Sequence, residues 1–289
     1  MQKTSIIIPS YKEGRNILDT INSIFHNTNE EETPFEIIIV NSSPEDNIFV
    51  PKNPLVKYFE TPRQGSTISR NFGADNATGE VLVFLDAHME LQKNWLKNTL
   101  NSLERNSPCM LTPVIYDINN KQSKGYGFTF SCWDLGIGWL GKMSDETHEI
   151  PMACGCCIAV EKEVFNKIGK WDNGVIQWGR EDAEISLRSW LMGIPVFLEP
   201  SVEVGHLFRS SFPYNVDNYI VNRNILRLAY SHFNEVRIKK VEDTLRIFPD
   251  FEKSAKLNRE SDVLLRRQML FEKRVHDDDW FFEKFNIPI

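Results

Sequence analysis

The chain has no long hydrophobic segment, and this limits the classes of protein to which it can belong. Its longest apolar runs, such as Val81 to Leu85, have the length of a strand, whereas a membrane-spanning helix needs about 20 apolar residues. The chain also opens directly into Thr4 to Pro9, without the basic region that begins a secretory signal peptide. We therefore expect no transmembrane anchor and a cytoplasmic location.

Positive charge is not in excess either. Lys and Arg together number 33 against 40 Asp and Glu, which gives a net charge of -7 at pH 7. Proteins that bind nucleic acid normally present a basic surface to the phosphates. The charge balance therefore argues against a nucleic-acid partner.

Cysteine is scarce, with five residues in the chain. An odd number in a chain of this length does not indicate a disulfide framework. Three of the five lie together at Cys154, Cys156 and Cys157, but no paired Cys-x-x-Cys motif or neighbouring His completes a zinc site. We interpret them as small, half-buried thiols and predict no metal there.

What the chain does have is an ordinary globular composition and an alternation of strand and helix patterns. Hydrophobic residues make up 41% of its 289 residues and charged residues 25%. The predicted strands are Ser5–Ile8, Phe35–Val40, Val56–Glu60 and Val81–Leu85, and the predicted helices are Asn16–Phe25, Ile68–Asn76 and Trp95–Leu103. This order is typical of an α/β fold with a largely parallel sheet, in which ligands bind at the carboxyl ends of the strands.

The rest of the chain is less regular. The stretch 113–151 is rich in Gly and aromatic residues, and we expect an irregular hairpin and loops there. From residue 216 the pattern is helical, so we predict a catalytic domain at 1–215 and a helical extension at 216–289 that packs on it. The run Asp277 to Phe282 would expose three aromatic rings unless it docks onto the catalytic domain, which is the interpretation we favour.

The most specific polar feature follows the fourth predicted strand. Side chains alternate along a strand, so Asp86 and His88 should point the same way, with Ala87 turned aside. A carboxylate and an imidazole placed in this way can hold a divalent cation that bridges a diphosphate. The alternative is a strand-ending Asp that caps the next turn beside an exposed His, and the motif alone does not decide between them.

Two later segments add to this motif. Glu181 and Asp182 fall in the first turn of a predicted helix, where the helix dipole favours the carboxylate form that a general base requires. Their alternative role is simply to complement the dipole. His206 follows a Gly and precedes Arg209, and it could equally be a half-buried histidine with a structural hydrogen bond.

Taken in order, these segments resemble the GT-A glycosyltransferases over about residues 3–215. The matching segments are Ile7–Glu13 and Gln64–Gly73 for glycosyltransferase family 2, and Asp86–His88, Gly155–Phe165, Trp178–Glu181 and Gly205–Arg209 for the polypeptide N-acetylgalactosaminyltransferases and the β-galactosyltransferases. The resemblance implies a GT-A fold, a Rossmann-like and mainly parallel sheet flanked by helices.

The same resemblance implies roles for individual residues. Asp86, His88 and His206 would hold Mn²⁺ or Mg²⁺, and two imidazoles favour Mn²⁺. A UDP-sugar would be the donor, with Arg209 at its diphosphate. The implied donor-binding residues are Pro9, Tyr11, Glu13, Asn41, Gly65, Arg70, Asp86, Ala87 and Arg209. Trp178, Gly179 and Glu181 would shape the sugar and acceptor side.

Two departures from the resembling families bear on the reaction. Where family 2 usually has paired Asp residues to contact the base, this chain has Asn41 and Ser42, so the preference for uridine is less firmly implied. The retaining polypeptide N-acetylgalactosaminyltransferases place Asn where this chain has Asp182, whereas inverting members have Glu-Asp. A carboxylate near the acceptor can take its proton in a single displacement, and we therefore predict an inverting enzyme with Asp182 as its catalytic residue.

Three functions follow from this reasoning. The first is a metal-dependent hexosyltransferase that moves a sugar from a UDP-sugar to a peptide or protein side chain. The second is the same chemistry on a glycan or lipid-linked saccharide. The third is a non-catalytic nucleotide-sugar-binding module, which the presence of Asp86, His88, Asp182 and His206 disfavours.

Overall fold

Buried apolar runs form one large sheet in the computed structural model, which describes residues 3–289. The strands are β1 (Thr4–Ser10), β2 (Phe35–Asn41), β3 (Val56–Glu60), β4 (Val81–Leu85), β5 (Met89–Leu91), β6 (Met110–Asp117), β7 (Asn120–Gly125), β8 (Phe128–Phe130), β9 (Ile137–Trp139), β10 (His148–Glu149), β11 (Cys157–Glu161) and β12 (Val196–His206). The helices are α1 (Asn16–Asn27), α2 (Ser66–Asp75), α3 (Trp95–Asn106), α4 (Lys162–Lys167), α5 (Glu181–Leu191), α6 (Asn218–His232), α7 (Glu235–Leu245), α8 (Phe251–Arg259), α9 (Val263–Lys273) and α10 (Asp278–Lys284).

The order of the strands confirms the predicted α/β fold class. The main sheet runs β10-β12-β6-β11-β4-β1-β2-β3, and β4, β1, β2 and β3 are all parallel. Strand β11 pairs antiparallel with both β4 and β6, and so separates the first parallel group from the parallel pair β6 and β12. The sheet is therefore mixed, with its parallel half at the N-terminus of the chain.

The stretch after residue 110 is more regular than its sequence indicated. Strand β6 is buried along almost its whole length and lies between β11 and β12. The sequence did not predict this strand because of Pro113. Proline has no backbone N–H to donate to a neighbouring strand, and it therefore normally argues against a central strand. The sheet accommodates it with an irregularity in β12 between Glu199 and Glu203, directly opposite Pro113 and Val114. The predicted hairpin is present as β6 and β7.

The helices after residue 216 pack on the rest of the chain through buried charges as well as apolar side chains. The guanidinium of Arg227 on α6 is fully buried and pairs with Asp172 at 2.7 Å and with Asp262 at 2.8 Å. In α10, Phe281 and Phe282 are buried in the core, which confirms the predicted docking of this segment. The division of the chain at residue 215 stays a prediction.

We expect Arg227→Ala to lower the free energy of unfolding by about 3–5 kcal/mol, because it leaves the buried carboxylate of Asp172 with one ion pair fewer. Lys239→Ala is the matched control. It removes an exposed pair with Asp243 on α7 and should cost less than about 0.5 kcal/mol. Urea unfolding of the parent chain and both variants measures these changes in the free energy of unfolding. Equal midpoints for the two would show that the buried pair does not hold α6 in place.

Within residues 3–289, no helix combines the length and the apolar character that a membrane span requires.

Candidate active site

A cavity of about 670 Å³ opens where the parallel strands end. Residues at or just after the ends of β1, β2 and β4 line it, among them Ser10, Ser42 and Asp86. This is the edge at which a doubly wound sheet binds its ligands, and it is where the polar motifs were predicted to meet.

The register of two strands brings His88 and His206 together. Asp86 and His88 follow β4 and line the cavity, while Ala87 between them is fully buried at the same edge. Strand β5 pairs antiparallel with the end of β12, so that Met89 lies opposite His206. The backbone N–H of Leu207 then donates to the carbonyl of His88 at 3.1 Å.

Gly205 leaves room for the ring of Tyr116 beside the end of β12. A Cβ atom at Gly205 would lie 2.7 Å from that ring, closer than packed atoms tolerate. The ring could then not keep its place, from which the Tyr116 hydroxyl donates to Glu90 on β5 at 3.0 Å.

Asp86, His88 and His206 form a group that fits a divalent cation. Each offers one ligand atom, and these atoms all lie within 4.8 Å of one another. The two imidazole Nε2 atoms are 3.1 Å apart, and His206 Nε2 lies 3.6 Å from a carboxylate oxygen of Asp86. Two imidazole nitrogens and one carboxylate suit Mn²⁺ better than Mg²⁺, which prefers oxygen.

Asp86 is held in its charged form, as a cation ligand must be. Burial raises the pKa of its carboxyl, but the hydrogen bond from His206 and the charge of Arg70 outweigh burial and hold that pKa well below its usual range. Arg70 donates to Asp86 at 2.8 Å from a guanidinium that is 4% exposed. The same Nη2 atom donates to the carbonyl of Gly155 at 3.2 Å.

Glu13, which the resemblance implied for donor binding, lies next to the cation group. Its carboxylate is 3.1 Å from Nδ1 of His88 and also accepts a hydrogen bond from Arg209. Burial raises the pKa of Glu13, but His88 and Arg209 more than offset it, so the pKa is lowered. A carboxylate on the far nitrogen of a ligand histidine orients its ring, which leaves Nε2 of His88 facing His206.

Glu181 and Asp182 open α5 as predicted, and both line the cavity. Glu181 accepts from the backbone N–H of Gly179 at 2.8 Å and from the Ser66 hydroxyl at 3.2 Å. Asp182 accepts from the N–H of Gly155 at 3.4 Å. The fit at Gly155 is tight, because a Cβ there would lie 3.0 Å from the Asp182 side chain.

The electrostatics of Asp182 differ from the prediction that the helix dipole lowers its pKa. Burial and then the neighbouring charge of Glu181 raise the pKa of Asp182 to about 6, despite hydrogen bonds from Ala183 and Gly155. This carboxyl is ionised at neutral pH and has a basicity close to that at which a general base works best.

Most residues that the resemblance implied for the donor line the cavity, and two of the implied site residues do not. Pro9, Tyr11, Gly65 and Trp178 are on its wall. Asn41 is buried and does not line the cavity. Its side-chain amide is hydrogen-bonded to Ser43 and, at 3.1 Å, to the hydroxyl of Tyr58. The neighbouring Ser42 lines the cavity instead. Gly179 is also absent from the wall and supports Glu181 through its N–H.

Sequence reasoning missed the aromatic wall of the cavity. Its exposed rings are Trp139, Trp178, Phe208 and Phe212, and of these only Trp178 was assigned to the site. The rings contact one another in pairs, with Trp178 and Phe212 at 4.8 Å and Trp139 and Phe208 at 5.9 Å between centroids. For Phe208 and Phe212 the signal was the aromatic content of residues 207–215, a segment without a helical or strand period.

The cysteine cluster is buried against the same cavity. All five cysteines are free thiols, and Cys154 and Cys156 line the cavity with their sulfur atoms 3.3 Å apart. Burial and the neighbouring Cys154 raise the pKa of Cys156 well above its ordinary value, so this thiol is protonated at neutral pH.

Comparisons with family models and with known proteins all match this chain to glycosyltransferases. The model for glycosyl transferase family 2 matches residues 5–169, and the model for the N-terminal domain of galactosyltransferase matches residues 143–209. The chain is 34% identical to human polypeptide N-acetylgalactosaminyltransferase 14 over 76% of its own length and 44% of that protein. It is 31% identical to Drosophila melanogaster polypeptide N-acetylgalactosaminyltransferase 3 over 79% of its length and 39% of that protein. The chain thus spans less than half the length of these relatives.

Two solved structures share the fold. A crystal structure of GalNAc-T7 with UDP, GalNAc and Mn²⁺ superposes with a TM-score of 0.78 at 22% identity, over 99% of this chain and 57% of that one. The mannosyltransferase PcManGT from Pyrobaculum calidifontis, in complex with GDP-Man and Mn²⁺, superposes with a TM-score of 0.53 at 15% identity, over 94% of this chain and 72% of that one.

Proposed function

Because the chain belongs to glycosyl transferase family 2, we propose that it is a metal-dependent enzyme that transfers a hexose or N-acetylhexosamine from a UDP-sugar to a peptide side chain with inversion. The observation that carries this proposal is the convergence of Asp86, His88 and His206 at one edge of a cavity that also contains Asp182. A cation site and a general base in one cavity are the two parts that such a transfer requires.

Asp182 acts on the acceptor. Its carboxylate takes the proton of the acceptor hydroxyl while the oxygen attacks the anomeric carbon and the bond from that carbon to the diphosphate breaks. The raised pKa of Asp182, about 6, makes the carboxylate a stronger base than an ordinary Asp. The N–H groups of Ala183 and Gly155 fix its orientation.

Arg209 acts on the leaving group. Its guanidinium contacts both Glu13 and His88 at the cation group. A guanidinium has several N–H donors in a planar fork, so it can hold Glu13 and still donate to a phosphate oxygen. This contact offsets the negative charge that grows on the diphosphate as the sugar leaves.

Mn²⁺, when bound to Asp86, His88 and His206, supplies Lewis-acid stabilisation of the same diphosphate. Mn²⁺ is present in the solved GalNAc-T7 and PcManGT complexes, which supports the choice of this ion. Arg70 and Glu13 would keep the ligands oriented, because each contacts one of them directly.

The aromatic wall of the cavity supports a peptide acceptor. Trp139, Trp178, Phe208 and Phe212 line the same cavity as Asp182 and Glu181, and aromatic side chains are enriched in surfaces that bind polypeptides. The relatives are named as polypeptide N-acetylgalactosaminyltransferases, which supports a peptide acceptor. The aromatic wall also favours one second candidate, a glycan acceptor, since sugar faces stack on the same rings.

A donor and acceptor screen tests the proposal. UDP-GalNAc, UDP-GlcNAc, UDP-Gal and UDP-Glc are incubated with a Ser/Thr peptide library or with oligosaccharides, in Mn²⁺ or in EDTA, and products are identified by mass. We expect a glycosylated peptide with one UDP-sugar in Mn²⁺ only. Transfer to oligosaccharides alone would establish the second candidate, and transfer that is equal in EDTA would contradict the cation site.

We also propose a cytoplasmic location. Its support is the set of five free thiols, which persist in a reducing compartment. Fractionation of the tagged native protein decides the compartment.

A further inference from the structure

Two of the buried thiols belong to a segment that joins the two halves of the active site. Cys154 to Cys157 form a tight turn, in which the N–H of Cys157 donates to the carbonyl of Cys154 at 3.2 Å. The side chains of Cys154 and Cys156 face the same way, with sulfur atoms 3.3 Å apart, and both line the cavity.

The backbone of this turn contacts the cation group. The carbonyl of Cys156 accepts from the backbone N–H of Asp86 at 3.0 Å, and the carbonyl of Gly155 accepts from Arg70 at 3.2 Å. Arg70 in turn holds the carboxylate of Asp86. A shift of the turn therefore moves Asp86 through two separate hydrogen bonds.

The same turn contacts the general base. The N–H of Gly155 donates to Asp182 at 3.4 Å, and a Cβ at this glycine would lie 3.0 Å from the Asp182 side chain. The turn and Asp182 are thus in direct contact, so a shift of the turn also displaces the hydrogen-bond donor that holds the Asp182 carboxylate.

We propose that Cys154 and Cys156 form a reversible disulfide that switches the active site off under oxidising conditions. A small disulfide such as oxidised glutathione supplies the oxidising equivalents. One cysteine sulfur displaces a glutathione thiol to give a mixed disulfide, and the second cysteine sulfur then displaces the other glutathione thiol. The two S–H bonds are lost and one S–S bond forms, while the oxidant ends as two thiols.

The bond requires the sulfur atoms to move from 3.3 Å to about 2.05 Å. Because only Gly155 separates the two cysteines, most of this change falls on the backbone of the turn. Gly155, which has no side chain to restrain it, is the residue that absorbs the change. Its N–H and carbonyl would leave Asp182 and Arg70, so that both the base and the cation ligand lose their orientation.

The other cysteines provide internal controls. Cys132 is exposed and contacts Asp134, outside the turn. Cys109 and Cys157 are fully buried and do not line the cavity. Oxidation through the cavity should therefore select Cys154 and Cys156, whereas Cys132 should take a single glutathione without an effect on transfer.

The experiment measures bond formation and activity separately. The full chain is equilibrated in glutathione buffers of increasing oxidised fraction, and each sample is split between peptide mapping and the transfer assay. We expect a peptide that has lost two hydrogens between Cys154 and Cys156, a loss of at least about tenfold in transfer in parallel with it, and recovery in dithiothreitol. Cys154→Ser and Cys156→Ala should abolish the oxidant dependence of their remaining activity, and Cys132→Ser should behave as the parent chain.

Three results overturn the proposal: no bond between Cys154 and Cys156 in the most oxidising buffer, a bond that forms without loss of transfer, or an oxidative loss that persists in Cys154→Ser. If the chain showed no transfer in any buffer, the function proposed above would fail. Peptide mapping, together with hydrogen exchange at Gly155, would then still decide whether the disulfide forms and moves the turn.

Discussion

Asp182→Asn should reduce turnover by about a hundredfold or more, with little change in the affinity for the donor. The amide keeps the size of the side chain and can still accept from Ala183, but it cannot take the proton of the acceptor hydroxyl. Steady-state kinetics with saturating donor separates the effect on kcat from the effect on donor binding. A fall in donor affinity with an unchanged kcat would show that Asp182 binds substrate and is not the base.

The same variant should be more stable than the parent chain at pH 7. The folded-state pKa of Asp182, about 6, is above the unfolded value of about 3.9, so ionising this carboxyl disfavours the folded state. Its unfavourable contribution is absent below about pH 4, grows between pH 4 and 6, and is complete at pH 7. Because Asp182 is half-buried on the wall of an open cavity, where solvent weakens charge effects, we expect a gain of about 1–2 kcal/mol.

Asp19→Asn is the matched control, since Asp19 also lies in the first turn of a helix but is exposed. It should leave turnover unchanged and should change the free energy of unfolding by no more than about 0.5 kcal/mol.

The parent chain should lose kcat/KM as pH falls through about 6, following the protonation of Asp182. An acidic limb near pH 4, with no stabilisation in Asp182→Asn, would contradict the environment that we assign to this carboxyl.

His206→Ala should reduce Mn²⁺-dependent transfer by more than about a hundredfold, because residues that merely orient a ligand cost ten- to a hundredfold when they are lost. Asp86 and His88 remain, so a higher Mn²⁺ concentration should restore part of the activity. Titration of Mn²⁺ followed by electron paramagnetic resonance measures the binding without the reaction. We expect the affinity for Mn²⁺ to fall in parallel with turnover.

His26→Ala is the control for this variant, since His26 is exposed on α1. Neither variant should change the thermal unfolding midpoint greatly in EDTA. If His206→Ala bound Mn²⁺ as tightly as the parent chain, the cation group would have to exclude His206. If it unfolded instead, the loss of activity would report on packing of its ring against Phe208, and the assignment of His206 would be withdrawn.

The fold could be predicted where burial on both faces leaves a simple pattern. Strands β1, β2 and β4 are buried almost throughout and contain the runs Ile6–Ile8, Ile37–Val40 and Val81–Leu85, and their positions were predicted to within a few residues. Strand β6 was not predicted. Pro113 is accommodated there by an irregularity in β12, a strand that lies far along the chain. Tertiary context of this kind leaves no local trace in the sequence.

The site, like the fold, has some features that follow from local sequence patterns and others that depend on tertiary structure. The shared side of Asp86 and His88 follows from strand alternation, and the place of Asp182 follows from the start of a helix. The contact between His88 and His206 joins residues 118 positions apart and depends on the pairing of β5 with β12, so only the resemblance to known glycosyltransferases indicated it. The pKa of Asp182 could not be predicted either, because it depends on burial that no local pattern reports.

The configuration of the product tests the central claim most directly. The enzyme is given a UDP-α-sugar, the acceptor found in the screen and Mn²⁺, and the coupling constant of the new anomeric proton is measured by NMR. Single displacement with Asp182 as the base predicts a β-linked product. An α-linked product would contradict inversion and remove the catalytic role of Asp182.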